Sequence, residues 1–250
     1  MRNKKILIGI SLVWGLLVPA LVPVAANPNP GVLPPKAHPF GHTYGEWSAA
    51  WWQWAFSLPI DAHPLFDTED CSAGQSGKVF FLGGTLASTE IAPGVFLGKV
   101  SRQCRVPTGK ALFFPIANIE CSTIEGNGED EKTLSECATF LAGFITDLEV
   151  TVDGVSLQGL DQYQVQSPLF VFGPLPDNNI LESFGLDAPA GATSPAVSDG
   201  VFLMLAPLCA GSHTIHFTGA LTLSVANGDP FDLDFRLDIT YHVTVAPGAH

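Results

Sequence analysis

The tail of the chain constrains the fold more than any other stretch. In "FDLDFRLDITYHVTV" (231–245), Phe231, Leu233, Phe235, Leu237, Ile239, Tyr241, Val243 and Val245 alternate without a break with polar residues. Period-two alternation over such a length means one extended strand with one face in a core and the other toward water. A strand this long crosses a whole sheet or bends between two. Just before it, "LTLSVA" (221–226) runs into Asn227-Gly228, a pair that favours a tight hairpin turn.

Shorter strand-like runs precede this hairpin: 78–84, 95–102, 111–117, "LFVFG", "GVFLMLAPL" and "SHTIHFTG", bounded by Gly and Pro. "LEVTVDGVSLQ" carries a second hairpin signal at Asp153-Gly154. The tetrapeptide "GVFL" occurs at 94–97 and again at 200–203, each time followed by a Cys and a Gly-containing turn, which suggests two similar hairpins in two packed sheets. Regular strand–helix–strand alternation is absent, and this argues against a doubly wound fold. The pattern predicts a mainly β protein: an antiparallel two-sheet β-sandwich, jelly-roll or immunoglobulin-like, with two packed helices.

The first helix is expected near 44–57. Thr43 and Glu46 have capping-box spacing, Tyr44, Trp47, Trp51, Trp54 and Leu58 share one face, and Pro59 stops the helix. Trp52 falls off that face and is expected to be exposed. The second helix is expected near 133–147, with Thr133 and Glu136 as its capping box and Leu134, Cys137, Leu141, Phe144 and Leu148 as its stripe.

Residues 1–26 read as a signal peptide, with Arg2, Lys4 and Lys5 before an apolar run and the small residues Val24 and Ala26 before a cleavage point. Residues 27–42 read as an extended Pro-rich leader, and 43–246 as a single domain. The expected location is secreted or periplasmic, with no stable membrane insertion after cleavage. In an oxidising space the five cysteines imply disulfides. The neighbouring pairs Cys71–Cys104 and Cys121–Cys137 are the expected bridges, leaving Cys209 over. The chain carries 24 acidic residues against 11 basic ones, a net charge of −13. Such an acidic protein lacks the Lys and Arg that phosphate contacts need, so nucleic acid is excluded as a partner.

The segments "YGEWSAAWWQW", "GKALFFPIANIEC" and "SDGVFL…PL…GSHTIHF" resemble those of a group of exported bacterial proteins of unknown function. The resemblance spans most of the chain after residue 26 and implies export from a bacterium. It carries over no catalytic residue.

Several residues stand out chemically. Trp52 offers a flat face for stacking a ligand, and Asn118 lies at the end of an apolar run that would line a cleft. His63, flanked by Asp61 and Asp67, is a loop histidine able to bind a ligand or metal. Glu46 beside Trp47, and Glu120 beside a disulfide, are the candidate catalytic carboxyls. Asp232, Asp234, Asp238 and His242 share the polar face of the last strand, and His216 is placed to meet them from its neighbour. Oxygen ligands in that number would suit Ca²⁺, the one cofactor the sequence suggests. Each feature also has a plain structural reading: helix glue, a helix cap, a solvated sheet face. No zinc-protease, nucleophile-elbow, phosphate-loop or dinucleotide motif is present. The sequence therefore points to a binding module for an extracellular or periplasmic ligand, whether carbohydrate, calcium or protein. The alternative is a secreted hydrolase that acts on a polymer through a carboxylate pair or a bound metal.

Overall fold

A computed structural model describes residues 29, 31–229 and 232–247. The expected signal peptide at 1–26 and Phe231 lie outside the described residues. Among the described residues the chain forms eleven strands and three α-helices, arranged as a two-sheet β-sandwich with packed helices.

The first sheet holds β1 (Val79–Phe81), β4 (Ala111–Ser122), β9 (Ser194–Leu205) and β7 (Gln164–Gln166) in that order, with β8 (Phe170–Phe172) also on β9. The second runs β2 (Thr89–Ala92), β3 (Val95–Val106), β11 (Leu233–Val245), β10 (Gly211–Leu223), β5 (Ile145–Val152) and β6 (Val155–Ser156). β11 alternates as its sequence demands: Ile239, Tyr241, Val243 and Val245 are buried while Arg236 and Thr244 are exposed. It lies inside the sheet, pairing with β10 on one side and β3 on the other.

Two ladders are parallel, β1 with β4 and β3 with β11, so the sheets are mixed and not wholly antiparallel. The cause is the chain's route. β3 and β4 do not form a hairpin, because the turn at 107–110 carries the chain from the second sheet to the first. The connection after β9 carries it back to β10. The two "GVFL" segments thus open β3 in the second sheet and lie within β9 in the first, and each strand is followed by a connection that crosses to the other sheet and not by a hairpin. The β10–β11 connection is also wider than a two-residue turn, with a short 3₁₀ segment at Val225–Asn227. Asp153-Gly154 does make the expected tight turn between β5 and β6, both residues at positive φ.

α1 (Tyr44–Phe56) begins with the expected capping box: Thr43 Oγ1 accepts from Glu46 N, and the Glu46 carboxylate accepts from Thr43 N. Phe113 packs against Tyr44 and Trp47 of this helix, whereas its neighbour Phe114 stacks on Phe217 of β10. Successive strand residues point to opposite faces. The first sheet is therefore covered by α1 on one face and by the second sheet on the other. α1 lies so close to β7 that a Cβ on Gly45 would sit 2.4 Å from the Gln166 carbonyl oxygen.

α2 spans Glu131–Ala142, not 133–147. Asp130 outcompetes Thr133 as the N-cap, and Thr133 supplies the reciprocal bond at the third position. Beyond Gly143 the β-branched run from Ile145 joins the second sheet, so Phe144 and Leu148 leave the helical stripe. α3 (Ile180–Ser183) is a single turn capped by Asn179.

The leader is not a separate extension throughout. Val32 bridges Leu205, and the Asn29 side chain exchanges two hydrogen bonds with the backbone of Gln158. The bridges Cys71–Cys104 and Cys121–Cys137 are both formed, and Cys209 is free and exposed. No helix among the described residues is long and apolar enough to cross a membrane.

Candidate functional site

β4 changes face partway along. Its register with β9 shifts between Pro115 and Ala117, which inserts one extra residue. A bulge of this kind exchanges the two faces for everything beyond it. Cys121 is bonded to Cys137 of α2 and packs with Val197, so it faces α2. Glu120 pairs directly across from Ser198, whose hydroxyl lies 3.0 Å from that of Ser48 in α1. Asn118 and Glu120 therefore point toward α1, and Ile119 and Cys121 point away.

β1 pairs only with residues 111–113, so past the bulge β4 has an uncovered edge. A cavity of about 120 Å³ lies there. Trp51 and Trp52 of α1 form one wall, residues 115–119 of β4 another, and Phe235 and Leu237 of the second sheet a third. Gly84 and Thr85 close the side. Among the described residues no charged side chain lines it. Gly200 stands opposite Asn118 so closely that a Cβ would meet Asn118 Cβ at 2.7 Å, which explains the lack of a side chain there.

The lining is largely apolar, with Trp51, Trp52, Thr85 and Asn118 as the side chains that carry a polar atom. Trp52 Nε1 and Asn118 Nδ2 are both buried, and among the described residues neither has a hydrogen-bond partner. Buried donors without an acceptor are rare because each costs roughly 1–3 kcal/mol. Trp51, by contrast, donates its Nε1 to the Leu82 carbonyl at 2.7 Å. Trp52 is not the exposed platform expected from the helical wheel. It is half-buried, stacked on Phe56 at 5.2 Å and edge-on to Trp51 at 5.0 Å.

Glu120 lies one strand repeat beyond Asn118 and is half-buried, with its Oε1 buried and lacking a partner among the described residues. Burial, and then the neighbouring Glu125 carboxyl, push it well above the usual carboxylate range. Ser122 Oγ donates to Glu125 at 2.7 Å. Glu125 went unnoticed in the sequence because it sits in the turn 123–128, where acids are ordinarily solvated.

The other candidates are otherwise engaged. Glu46 is an exposed cap, and the bond from Thr43 N lowers its pKa, so it is not a buried acid. His63 is fully buried. Its Nδ1 accepts from Leu65 N at 3.0 Å and its Nε2 donates to the Ala55 carbonyl at 2.9 Å, so neither nitrogen is open to a ligand.

The row on β11 neutralises itself instead of pooling its charge. Asp234 makes a forked pair with Arg236, and Asp238 binds Lys99 at 2.6 Å and His216 at 3.0 Å. Asp232 accepts from Ser224 and Val225 in the preceding loop. His242 stands opposite Thr214, one pair removed from His216. Among the described residues no three His, Cys, Asp or Glu side chains converge as metal ligands, so the structure does not assemble the Ca²⁺ set.

Comparison of the sequence with protein-family models and with curated proteins finds no match.

Proposed function

We propose that the protein is an exported binding module whose ligand is a small, neutral, largely apolar molecule with one hydrogen-bond acceptor, held in the cavity beneath Trp52. One observation carries this reading: a largely apolar cavity is lined by both Trp52 and Asn118, whose Nε1 and Nδ2 are buried with no acceptor among the described residues. Pockets of this composition take an apolar body and fix its orientation through a few polar groups. The volume is comparable to an engineered cavity of about 150 Å³ that holds benzene, so the ligand is about the size of one substituted ring. With no cation in the wall, a carboxylate would be buried without a counter-charge, which favours a neutral acceptor. The two disulfides support export, as does the resemblance to exported bacterial proteins.

Thermal denaturation with a panel of additives tests this. Acetophenone should raise Tm, benzene should do so less, and benzoate not at all. A rise with Ca²⁺ or soluble glycans, and none with neutral aromatics, would overturn the proposal. The second reading, a hydrolase working through carboxyls, rests on the Glu120–Glu125 pair alone. It requires a polymer-cleaving activity that Glu120→Gln abolishes.

A further inference from the structure

A second group of reactive side chains gathers where β9 crosses to β10. Cys209 lies in this connection, exposed and outside both disulfides. Its Sγ is 3.7 Å from Nε2 of His213, near the start of β10. The same Nε2 is 2.9 Å from the Cys209 carbonyl oxygen, and the other ring nitrogen, Nδ1, is 2.7 Å from Asp153 Oδ2. Asp153 is itself held in place. It occupies the β5–β6 turn at φ 51°, and its second oxygen accepts from Thr214 N at 2.8 Å. Three elements thus line up a thiol, an imidazole and a carboxylate in the order used to activate a nucleophile. The imidazole is largely buried, with its side chain 10% exposed, while Asp153 is 47% exposed.

We propose that Cys209, with His213 and Asp153, forms a reactive thiol site that exchanges with small external disulfides. Only a doubly protonated ring donates both to the Asp153 carboxylate and to the Cys209 carbonyl, so the cation lies against the sulfur. The hydrogen bond from Asp153 favours that cation, holding His213 above its ordinary range. The thiolate is the attacking species, and the imidazole Nε2 stands 3.7 Å from its sulfur, in reach of the proton the thiol gives up. The Cys209 thiolate attacks one sulfur of a disulfide RSSR. A bond forms between the two sulfurs, the RS–SR bond breaks, and its electron pair leaves on RS⁻. The proton shed by the thiol ends on the released RSH. Cys209 is oxidised and the departing sulfur is reduced, so no further oxidant enters. Asp153 touches no reacting atom and acts as a positioning residue. The site opens to solvent in a connection between strands, which suits a partner arriving from solution.

The test measures the release of thiopyridone from 4,4′-dithiodipyridine by the full chain at pH 6. The same chain unfolded in urea, its disulfides intact, is the reference. The folded protein should react about ten-fold faster than the unfolded one. Cys209→Ser should abolish the reaction. His213→Gln should bring the folded rate down to the unfolded rate, and Asp153→Asn should lower it part of the way, with Asp153→Glu restoring some of the loss. A loss of fold alone would leave the unfolded rate of each variant equal to that of the wild type, so the folded-to-unfolded ratio isolates the site. A ratio near one for the wild type, or a His213→Gln variant as fast as the wild type, would overturn the proposal.

Discussion

Trp52 and Asn118 come from different elements, α1 and β4, yet both line the same cavity, and the indole Nε1 of one and the amide Nδ2 of the other are buried with no partner among the described residues. A fold tolerates such donors where a ligand supplies the acceptor. Replacing either should therefore cost the unliganded protein little. Trp52→Phe and Asn118→Leu should each leave the stability in urea within about 1 kcal/mol of wild type, or raise it, because an unmade bond is removed. The Tm rise with acetophenone should disappear in both. A loss of several kcal/mol in either would mean that the donor is satisfied in the native protein.

Glu120 predicts an inverted pH dependence. Its folded pKa lies above its unfolded one, so the folded state holds the proton more tightly. The stability associated with this group is complete below the unfolded value, near 4.5, and is lost as pH rises through the folded value. Glu120→Gln keeps the neutral form at every pH. Urea midpoints at pH 5 and pH 8 should show the variant losing less stability over the interval, by more than about 1 kcal/mol. Equal losses would contradict the burial of this carboxyl.

Arg102 joins the second sheet to the wall of the cavity. Its guanidinium pairs with Asp67 through two bonds of 2.5 and 3.1 Å, and reaches Gly84 O at 2.6 Å and Tyr241 Oη at 2.9 Å. Tyr241 Oη in turn donates to Gly83 O at 2.8 Å. Arg102→Ala would leave Gly84 O without its donor and remove the partner of the exposed Asp67, and should cost about 2 kcal/mol. Tyr241→Phe removes one bonded hydroxyl and should cost about 1.5 kcal/mol. Both should weaken ligand binding by loosening residues 83–85, and denaturation with and without acetophenone measures both effects.

The Cys121–Cys137 bridge ties β4 to α2 across a 16-residue separation. Replacing both residues by Ala should cost about 3 kcal/mol, as read from urea unfolding under non-reducing conditions. Because Cys121 faces α2 and Asn118 faces α1, ligand binding should survive this change.

The residue pattern revealed the layers more readily than the route through them. The alternation from Leu233 to Val245 was legible because half-burial writes itself directly into a strand. The parallel pairing of β3 with β11 was not, since it depends on where the chain crosses between sheets. The Thr43–Glu46 cap was read correctly, whereas Asp130 displaced Thr133 because both residue types cap well. Trp52 and Asn118 were both singled out, but not as neighbours. Their meeting depends on the one-residue bulge at Pro115–Ala117, which turns Asn118 toward α1, and periodicity does not show a bulge. His63 was misjudged because its burial is set by tertiary packing against α1. The Cys209–His213–Asp153 group was also missed, since Asp153 lies 60 residues before His213.

The most direct measurement is a ¹H–¹⁵N spectrum of the indole groups, with the Trp52 Nε1–H signal assigned by its loss in Trp52→Phe. On titration with acetophenone that signal should move downfield as the proton gains an acceptor, while the Trp51 signal, already bonded to Leu82 O, should move less. A Trp52 signal that stays in place at saturating concentrations of every neutral aromatic tested would contradict a ligand site in this cavity.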